Sequence, residues 1–184
     1  MITKGEEQRA HLIMKLRGQG IRSASVLSAI ESVPRDIFIE NALKNHAWEN
    51  VTLPIGEGQT ISQPYIVALM TTALNLSGKE IVLEIGTGSG YQASILSLLC
   101  RRVYTIERIK TLHEFSNKKF KELKLNNITT KFGNGSLGWP EVSPFDRIIL
   151  TCAINQIPKQ LFLQLKIGGI LIGPEILEDS NQVL

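Results

Sequence analysis

The chain has 184 residues, of which 43% are hydrophobic and 20% are charged, with a formal net charge of +3 at pH 7. This length and apolar content suffice for the core of one domain, and no apolar run is long enough to cross a bilayer. The basic residues are scattered, and their densest group has the spacing of a solvated helix face, so we expect neither a membrane nor a nucleic-acid partner.

The cysteines and histidines argue against a disulfide framework and against a metal site. Cys100 and Cys152 do not form a C-x-x-C pair, and the N-terminus has no apolar signal region. These features predict a cytoplasmic protein. His11, His46 and His113 lack ligand-like spacing, so no metal is predicted.

The first part of the chain is predicted to be helical and irregular. Helices are expected at residues 6–19 and 24–32, and Pro34 stops the second one. A loop rich in Pro and Gly at residues 53–59 then leads through residues 60–64 into a helix that ends near Leu74.

Strands alternate with helices in the second part. Strands are expected at residues 81–85, 103–106, 129–132, 145–150 and 169–173, with helices near residues 91–100, 110–125 and 157–165. This alternation predicts an α/β fold with a doubly wound, mostly parallel sheet that binds ligands at the carboxyl ends of its strands. We expect a single domain over residues 1–184: a helical, substrate-side segment (1–78), a cofactor-binding core (79–176) and a short tail (177–184).

The most informative stretch is the strand at residues 81–85 and the glycine-rich turn after it. The turn reads G-x-G-x-G, whereas the dinucleotide fingerprint reads G-x-G-x-x-G, and Tyr91 stands where its third glycine would be. A carboxylate at Glu84 would repel a pyrophosphate but suits S-adenosylmethionine, which presents an ammonium and a sulfonium. We therefore predict S-adenosylmethionine as cofactor, with backbone N–H groups of the turn approaching it. The residues assigned to its binding here are Glu84, Gly86, Thr87, Gly88 and Gly90; the alternative is a purely structural turn.

A second acid, Glu107, ends the next predicted strand. In open α/β sheets an acid about 20 residues past the glycine turn binds the ribose hydroxyls, and we predict this role for Glu107. Alternatively, Glu107 is a surface acid that pairs with Arg108 or caps the following helix.

Three blocks resemble the protein-L-isoaspartate O-methyltransferase family: T-I-S-Q-P at residues 60–64 with its continuation to 68, residues 83–93, and residues 138–140 followed by 144–146. The resemblance implies a class I, Rossmann-like methyltransferase that methylates the free α-carboxyl of L-isoaspartyl residues in damaged proteins and peptides. It also implies that Ser62 is the catalytic residue and that Thr60 and Ser62 bind the substrate. Alternatively, Ser62 caps the helix that begins near Pro64.

Two departures from the family pattern matter. The family usually has an acid where this chain has Asn134, which still offers a carbonyl oxygen to an adenine amino group, with Gly135 beside it. Family members also continue beyond the position of Leu184, so we expect an uncovered edge on the fifth strand, a monomer or weak self-association, and cofactor binding that is less affected than peptide turnover.

Two other functions remain to be weighed. A methyltransferase acting on nucleic-acid amines is disfavoured, because residues 151–154 do not form its N-P-P-Y-like turn. A relative that binds the cofactor with little turnover, or that methylates another small molecule, stays open.

Overall fold

The computed structural model describes residues 4–152, 154, 156–176 and 182–183. It begins with helix α1 (Lys4–Gly18) and helix α2 (Ala24–Ser32), close to the predicted positions. A short antiparallel pair, β1 (Leu53–Pro54) and β2 (Thr60–Ile61), leads into helix α3 (Pro64–Ala73).

The second part alternates strand and helix as predicted. Its elements are β3 (Ile81–Ile85), α4 (Tyr91–Ser97), β4 (Arg102–Glu107), α5 (Lys110–Glu122), β5 (Ile128–Phe132), β6 (Phe145–Leu150), α6 (Lys159–Leu163) and β7 (Leu165–Ile172). The strands form one parallel sheet in the order β5-β4-β3-β6-β7, which confirms the doubly wound α/β fold. The direction of winding reverses between β3 and β6, so a ligand crevice is expected at their carboxyl ends.

Several element bounds differ from the predictions by one to four residues, and α6 is shorter than predicted at both ends. Two of the differences have a clear local reason. Strand β7 begins at Leu165 and not at residue 169, because Leu165 pairs with Phe145 before the register shifts. Helix α4 ends at Ser97, since the N–H groups of Leu98 and Leu99 bond to carbonyls three residues earlier, which tightens the last turn.

The N-terminal helices share a core with the sheet layer. Apolar side chains of α1 and α2, including Leu12, Leu16 and Ile30, are buried in one cluster with Tyr91 and Ile95 of α4. The segment that contains Ser62 is therefore held against the helix that follows the glycine turn.

Strand β7 lies at one edge of the sheet as described, and Ile167 on it is fully exposed. A separate antiparallel pair follows, formed by β8 (Glu175–Ile176) and β9 (Gln182–Val183). Residues 177–181 and 184 lie outside the described residues, so the prediction about the tail stays a prediction. None of the helices in the described part of the chain is both long and apolar enough to cross a membrane.

Candidate functional site

A cavity of about 960 Å³ lies at the carboxyl ends of β3 and β6. Its lining includes residues 59–63, 85–89, 106–109, 134–136 and 150–152, together with residues of α3, α4 and other segments. The structure thereby brings together most of the predicted site residues, namely Thr60, Ser62, Gly86, Thr87, Gly88, Glu107, Asn134 and Gly135. Glu84 and Gly90 do not belong to this lining.

The glycines of the turn are required by conformation and packing. Gly86, Gly88 and Gly90 have φ values of 97°, 54° and 92°, in the region that disfavours other residues. A Cβ atom at Gly90 would lie 2.8 Å from the Phe120 ring. Gly90 therefore allows α4 to pack against α5, and it lies outside the cavity lining; its assignment to cofactor binding stays a prediction.

The backbone donors of the turn are mostly used within the protein. The N–H groups of Gly86 and Thr87 both bond to the Ile106 carbonyl, and the Gly90 N–H bonds to the Thr87 carbonyl. The Gly88 N–H donates to Glu107. All four N–H groups thus have partners within the protein, and the expectation that they approach a ligand stays a prediction. Pyrophosphate binding needs free backbone donors, so this turn suits a cofactor without phosphate.

Glu84 is fully buried behind the turn. It faces Thr105 across the β3–β4 pair, and the Thr105 hydroxyl donates to its Oε2 at 2.5 Å. The Thr87 hydroxyl, which reaches the cavity, lies 2.6 Å from that of Thr105. Burial is the main cause that raises the pKa of Glu84 to about 8; the hydrogen bond from Thr105 opposes this rise and the nearby charge of Glu107 adds to it. Glu84 is thus linked to the cavity through two hydroxyls, not by the direct contact that the sequence suggested.

Glu107 lies in the cavity wall and holds the turn in place. Its Oε2 accepts from the Gly88 N–H at 2.8 Å, and its Oε1 accepts from the Ile109 N–H at 2.9 Å. A carboxylate has about four acceptor positions, so about two remain for ribose hydroxyls. Ile109 is the N-cap residue of α5, so Glu107 also binds the backbone at the start of that helix, as the capping alternative proposed.

Asn134 and Gly135 form the far wall of the cavity. Asn134 caps a short 3-10 turn at Gly135–Leu137, and its Oδ1 accepts from the Ser136 N–H at 3.0 Å. A Cβ atom at Gly135 would collide with Ile85. The turn can therefore lie directly over the end of β3, with one lone pair of Asn134 still available.

The Ser62 hydroxyl does not cap helix α3. The N-cap residue is Gln63, without a side-chain bond, and the Tyr65 N–H instead bonds to Oδ1 of Asn50 at 2.9 Å. In the part of the chain that is described, the Ser62 hydroxyl makes no hydrogen bond. The capping alternative is thus wrong, and the hydroxyl is free to meet a ligand in the cavity.

Sequence reasoning missed Asn50 and Thr105. Asn50 acts on a helix that begins 14 residues later, and Thr105 meets Glu84 through strand register, so neither has a local signal. Among the described residues, no group of three or more His, Cys, Asp or Glu side chains is arranged to hold a metal ion.

Three features together define a class I S-adenosylmethionine-dependent methyltransferase. They are the sheet order, the crevice at the carboxyl ends of β3 and β6, and a glycine turn that suits a cofactor without phosphate. The family model described as Protein-L-isoaspartate(D-aspartate) O-methyltransferase matches residues 7–184. This chain belongs to that family.

Individual relatives agree with this assignment. A Protein-L-isoaspartate O-methyltransferase of Parvibaculum lavamentivorans is 54% identical over 171 residues, which cover 93% of this chain and 77% of the relative. A solved protein-L-isoaspartate O-methyltransferase is 30% identical with a TM-score of 0.86; the match covers 95% of this chain and 57% of that one. A putative protein-L-isoaspartate O-methyltransferase from Plasmodium falciparum, solved in complex with S-adenosyl-L-homocysteine, is 26% identical with a TM-score of 0.80, covering 94% of this chain and 85% of that one.

Proposed function

We propose that this chain transfers the methyl group of S-adenosylmethionine to the free α-carboxyl of L-isoaspartyl residues in damaged proteins and peptides. The proposal rests above all on Ser62, whose uncommitted hydroxyl lines the same cavity as the glycine turn and Glu107. The family's name and the names of its relatives describe the same activity.

The part of the cavity lined by the glycine turn, Glu107 and Asn134, which we call the cofactor half, fits S-adenosylmethionine. When bound, this cofactor supplies an electrophilic methyl group on its sulfonium, and the sulfur leaves as a neutral thioether. We assign the ribose hydroxyls to Glu107, which retains free acceptor positions. Asn134 and Gly135 hold the adenine, while Gly86, Thr87 and Gly88 shape the wall between them. Glu84 does not line the cavity itself and acts on the cofactor through the hydroxyl groups of Thr105 and Thr87.

The acceptor half needs no general base. A free α-carboxyl ionises with a pKa of about 3.5 and is a carboxylate at neutral pH. One carboxylate oxygen forms the new bond to the methyl carbon as the carbon–sulfur bond breaks, and the electron pair of that bond stays on sulfur. Ser62 donates a hydrogen bond to the acceptor carboxylate and orients it, with Thr60 beside it. Alignment and exclusion of water then supply the catalysis.

The test is methyl transfer to one isoaspartyl peptide and to its aspartyl twin under the same conditions. We expect transfer to the isoaspartyl peptide alone. Equal transfer to both would contradict the acceptor assignment. Calorimetric binding of S-adenosylhomocysteine without transfer to either would instead support a relative that binds the cofactor with little turnover.

We also propose a reducing, cytoplasmic location and a monomeric or weakly associating state. Cys100 and Cys152 are both free thiols, as is usual in reducing compartments. Sedimentation velocity over a range of concentrations tests the second statement, and a tight dimer would contradict it.

A further inference from the structure

Arg35 is a buried cation close to the acceptor half of the cavity, the part that Thr60 and Ser62 line. It lies in a short 3-10 turn (Arg35–Phe38) between α2 and β1, and none of its surface is exposed. No carboxylate of the described residues forms an ion pair with it. An arginine stays protonated even when buried, so its positive charge lacks a local counter-charge.

The guanidinium of Arg35 is instead held by backbone carbonyls. Nη1 donates to the Ala47 carbonyl at 2.6 Å, and Nη2 donates to the carbonyls of Val51 at 2.9 Å and Ser62 at 3.1 Å. Its centre lies 5.8 Å from the ring centroid of Tyr91. Arg35 thus connects the loop before β1, the loop between β2 and α3, and the first residue of α4, and it is hydrogen-bonded directly to the backbone of Ser62.

We propose that Arg35 is a positioning residue for the methyl acceptor: it fixes the backbone of Ser62 and places an unpaired positive charge behind the site that takes the acceptor carboxylate. This inference rests on the function proposed above. An unpaired buried cation costs stability, and a negatively charged substrate beside Ser62 offsets part of that cost.

The reaction predicts which kinetic constant depends on Arg35. The acceptor is an anion before transfer and a neutral ester afterwards, so its attraction to Arg35 weakens as the new bond forms. An interaction that is stronger in the bound substrate than in the transition state acts mainly on substrate binding. Loss of the charge should therefore raise KM while kcat stays unchanged or rises slightly.

The experiment compares Arg35→Met and Arg35→Lys with the unmodified chain, using an isoaspartyl peptide and kinetics normalised to folded protein. For Arg35→Met we expect KM to rise about tenfold, as for the loss of the attraction between a buried cation and a carboxylate that it does not contact directly, with S-adenosylhomocysteine affinity nearly unchanged. Arg35→Lys keeps the charge and should restore part of the KM, which also keeps the test valid if the Met variant does not fold.

Arg147 provides the matched control. It also donates to backbone carbonyls, those of Leu74 and Asn75 just after α3, but neither of these partners lines the cavity, whereas the Ser62 partner of Arg35 does. Arg147→Met should lower the melting temperature without changing KM.

A neutral competitor isolates the charge. Inhibition by the isoaspartyl peptide with its α-carboxyl converted to an amide should be nearly the same in the unmodified chain and in Arg35→Met, whereas the carboxylate peptide loses affinity. If both peptides weaken equally, or if KM is unchanged in both Arg35 variants, Arg35 is merely structural and the proposal is wrong. If the unmodified chain does not methylate isoaspartyl peptides at all, the proposed function fails first, and this inference fails with it.

Discussion

Replacing Glu107 should weaken both the glycine turn and cofactor binding, and the two effects can be measured separately. Glu107→Ala removes the acceptor of two backbone N–H groups, those of Gly88 and Ile109, at a site that is 5% exposed. Hydrogen bonds to a charged group contribute about 1.5–3 kcal/mol each. The two bonds together amount to about 3–6 kcal/mol, and because the turn can relax toward water we expect a loss of unfolding free energy near the lower end, about 3–4 kcal/mol.

The affinity effect has a different origin, because it depends on the ribose. Loss of matched partners for the ribose hydroxyls should cost about 1–3 kcal/mol, which corresponds to about 5- to 150-fold in the dissociation constant of S-adenosylhomocysteine. Isothermal titration calorimetry measures this constant, and thermal unfolding without ligand measures the stability effect. Glu114→Ala, on the exposed face of α5, is the control and should change neither quantity.

A double-mutant cycle with a modified ligand decides between a direct contact and a deformed turn. If Glu107 binds the ribose, Glu107→Ala should cost clearly less affinity for the 2′-deoxy analogue of S-adenosylhomocysteine than for the parent compound. An equal loss for both ligands would show that Glu107 acts through the turn alone. Unchanged affinity for both would place the ribose elsewhere.

Three further predictions concern Ser62, Asn50 and Glu84. Ser62→Ala should depress methyl transfer while leaving the melting temperature and S-adenosylhomocysteine affinity nearly intact; lost stability with normal turnover per folded molecule would refute the substrate role. Asn50→Ala should show the opposite pattern in unfolding experiments, losing about 0.5–2 kcal/mol as a cap of α3, and an unchanged melting temperature would contradict the cap. The pKa of Glu84 is raised to about 8 by burial, so the folded state favours the neutral form of Glu84. The stability that this neutral form contributes is lost as the pH rises from about 4.5 to about 8. In denaturant titrations, Glu84→Gln should abolish this pH-dependent loss of stability. Since a cationic cofactor favours ionised Glu84, S-adenosylmethionine affinity should rise between pH 6 and about 8 and level off above it, and a flat profile identical to that of Glu84→Gln would refute the coupling.

The sequence predicts those parts of the site that depend on local pattern. The strand at 81–85, its glycine turn and the acid that ends β4 follow from periodicity and spacing, and parallel strands necessarily bring their carboxyl ends together. For this reason Gly86, Thr87, Gly88 and Glu107 lie in the cavity wall as expected. The T-I-S-Q-P block adds Ser62, a position that the local pattern alone would have assigned to a helix cap.

The features that the sequence did not predict depend on contacts between distant segments. Whether Glu84 faces a ligand or a neighbouring strand is decided by the β3–β4 register, which pairs it with Thr105. The cap of α3 comes from Asn50, which contacts Tyr65 only after the intervening loop has folded back. Arg35 bonds to main-chain carbonyls, and these are present at every residue, so no side-chain pattern marks its partners.

Glu84 and Arg35 suggest how such a site can favour its two substrates while leaving the chemistry easy. Glu84 is buried behind the cofactor half with its Oε1 unpartnered in the described part of the chain, and Arg35 is buried behind the acceptor half without an ion pair. Groups of this kind are costly to bury, and each is complementary to a ligand of the opposite charge, a sulfonium on one side and a carboxylate on the other. Methyl transfer neutralises both ligands at once, since the sulfonium becomes a thioether and the carboxylate becomes an ester. Under the roles proposed for Arg35 and for ionised Glu84, each product therefore loses the charge for which its half of the cavity is suited, so the two residues that favour binding of the substrates would also favour release of the products.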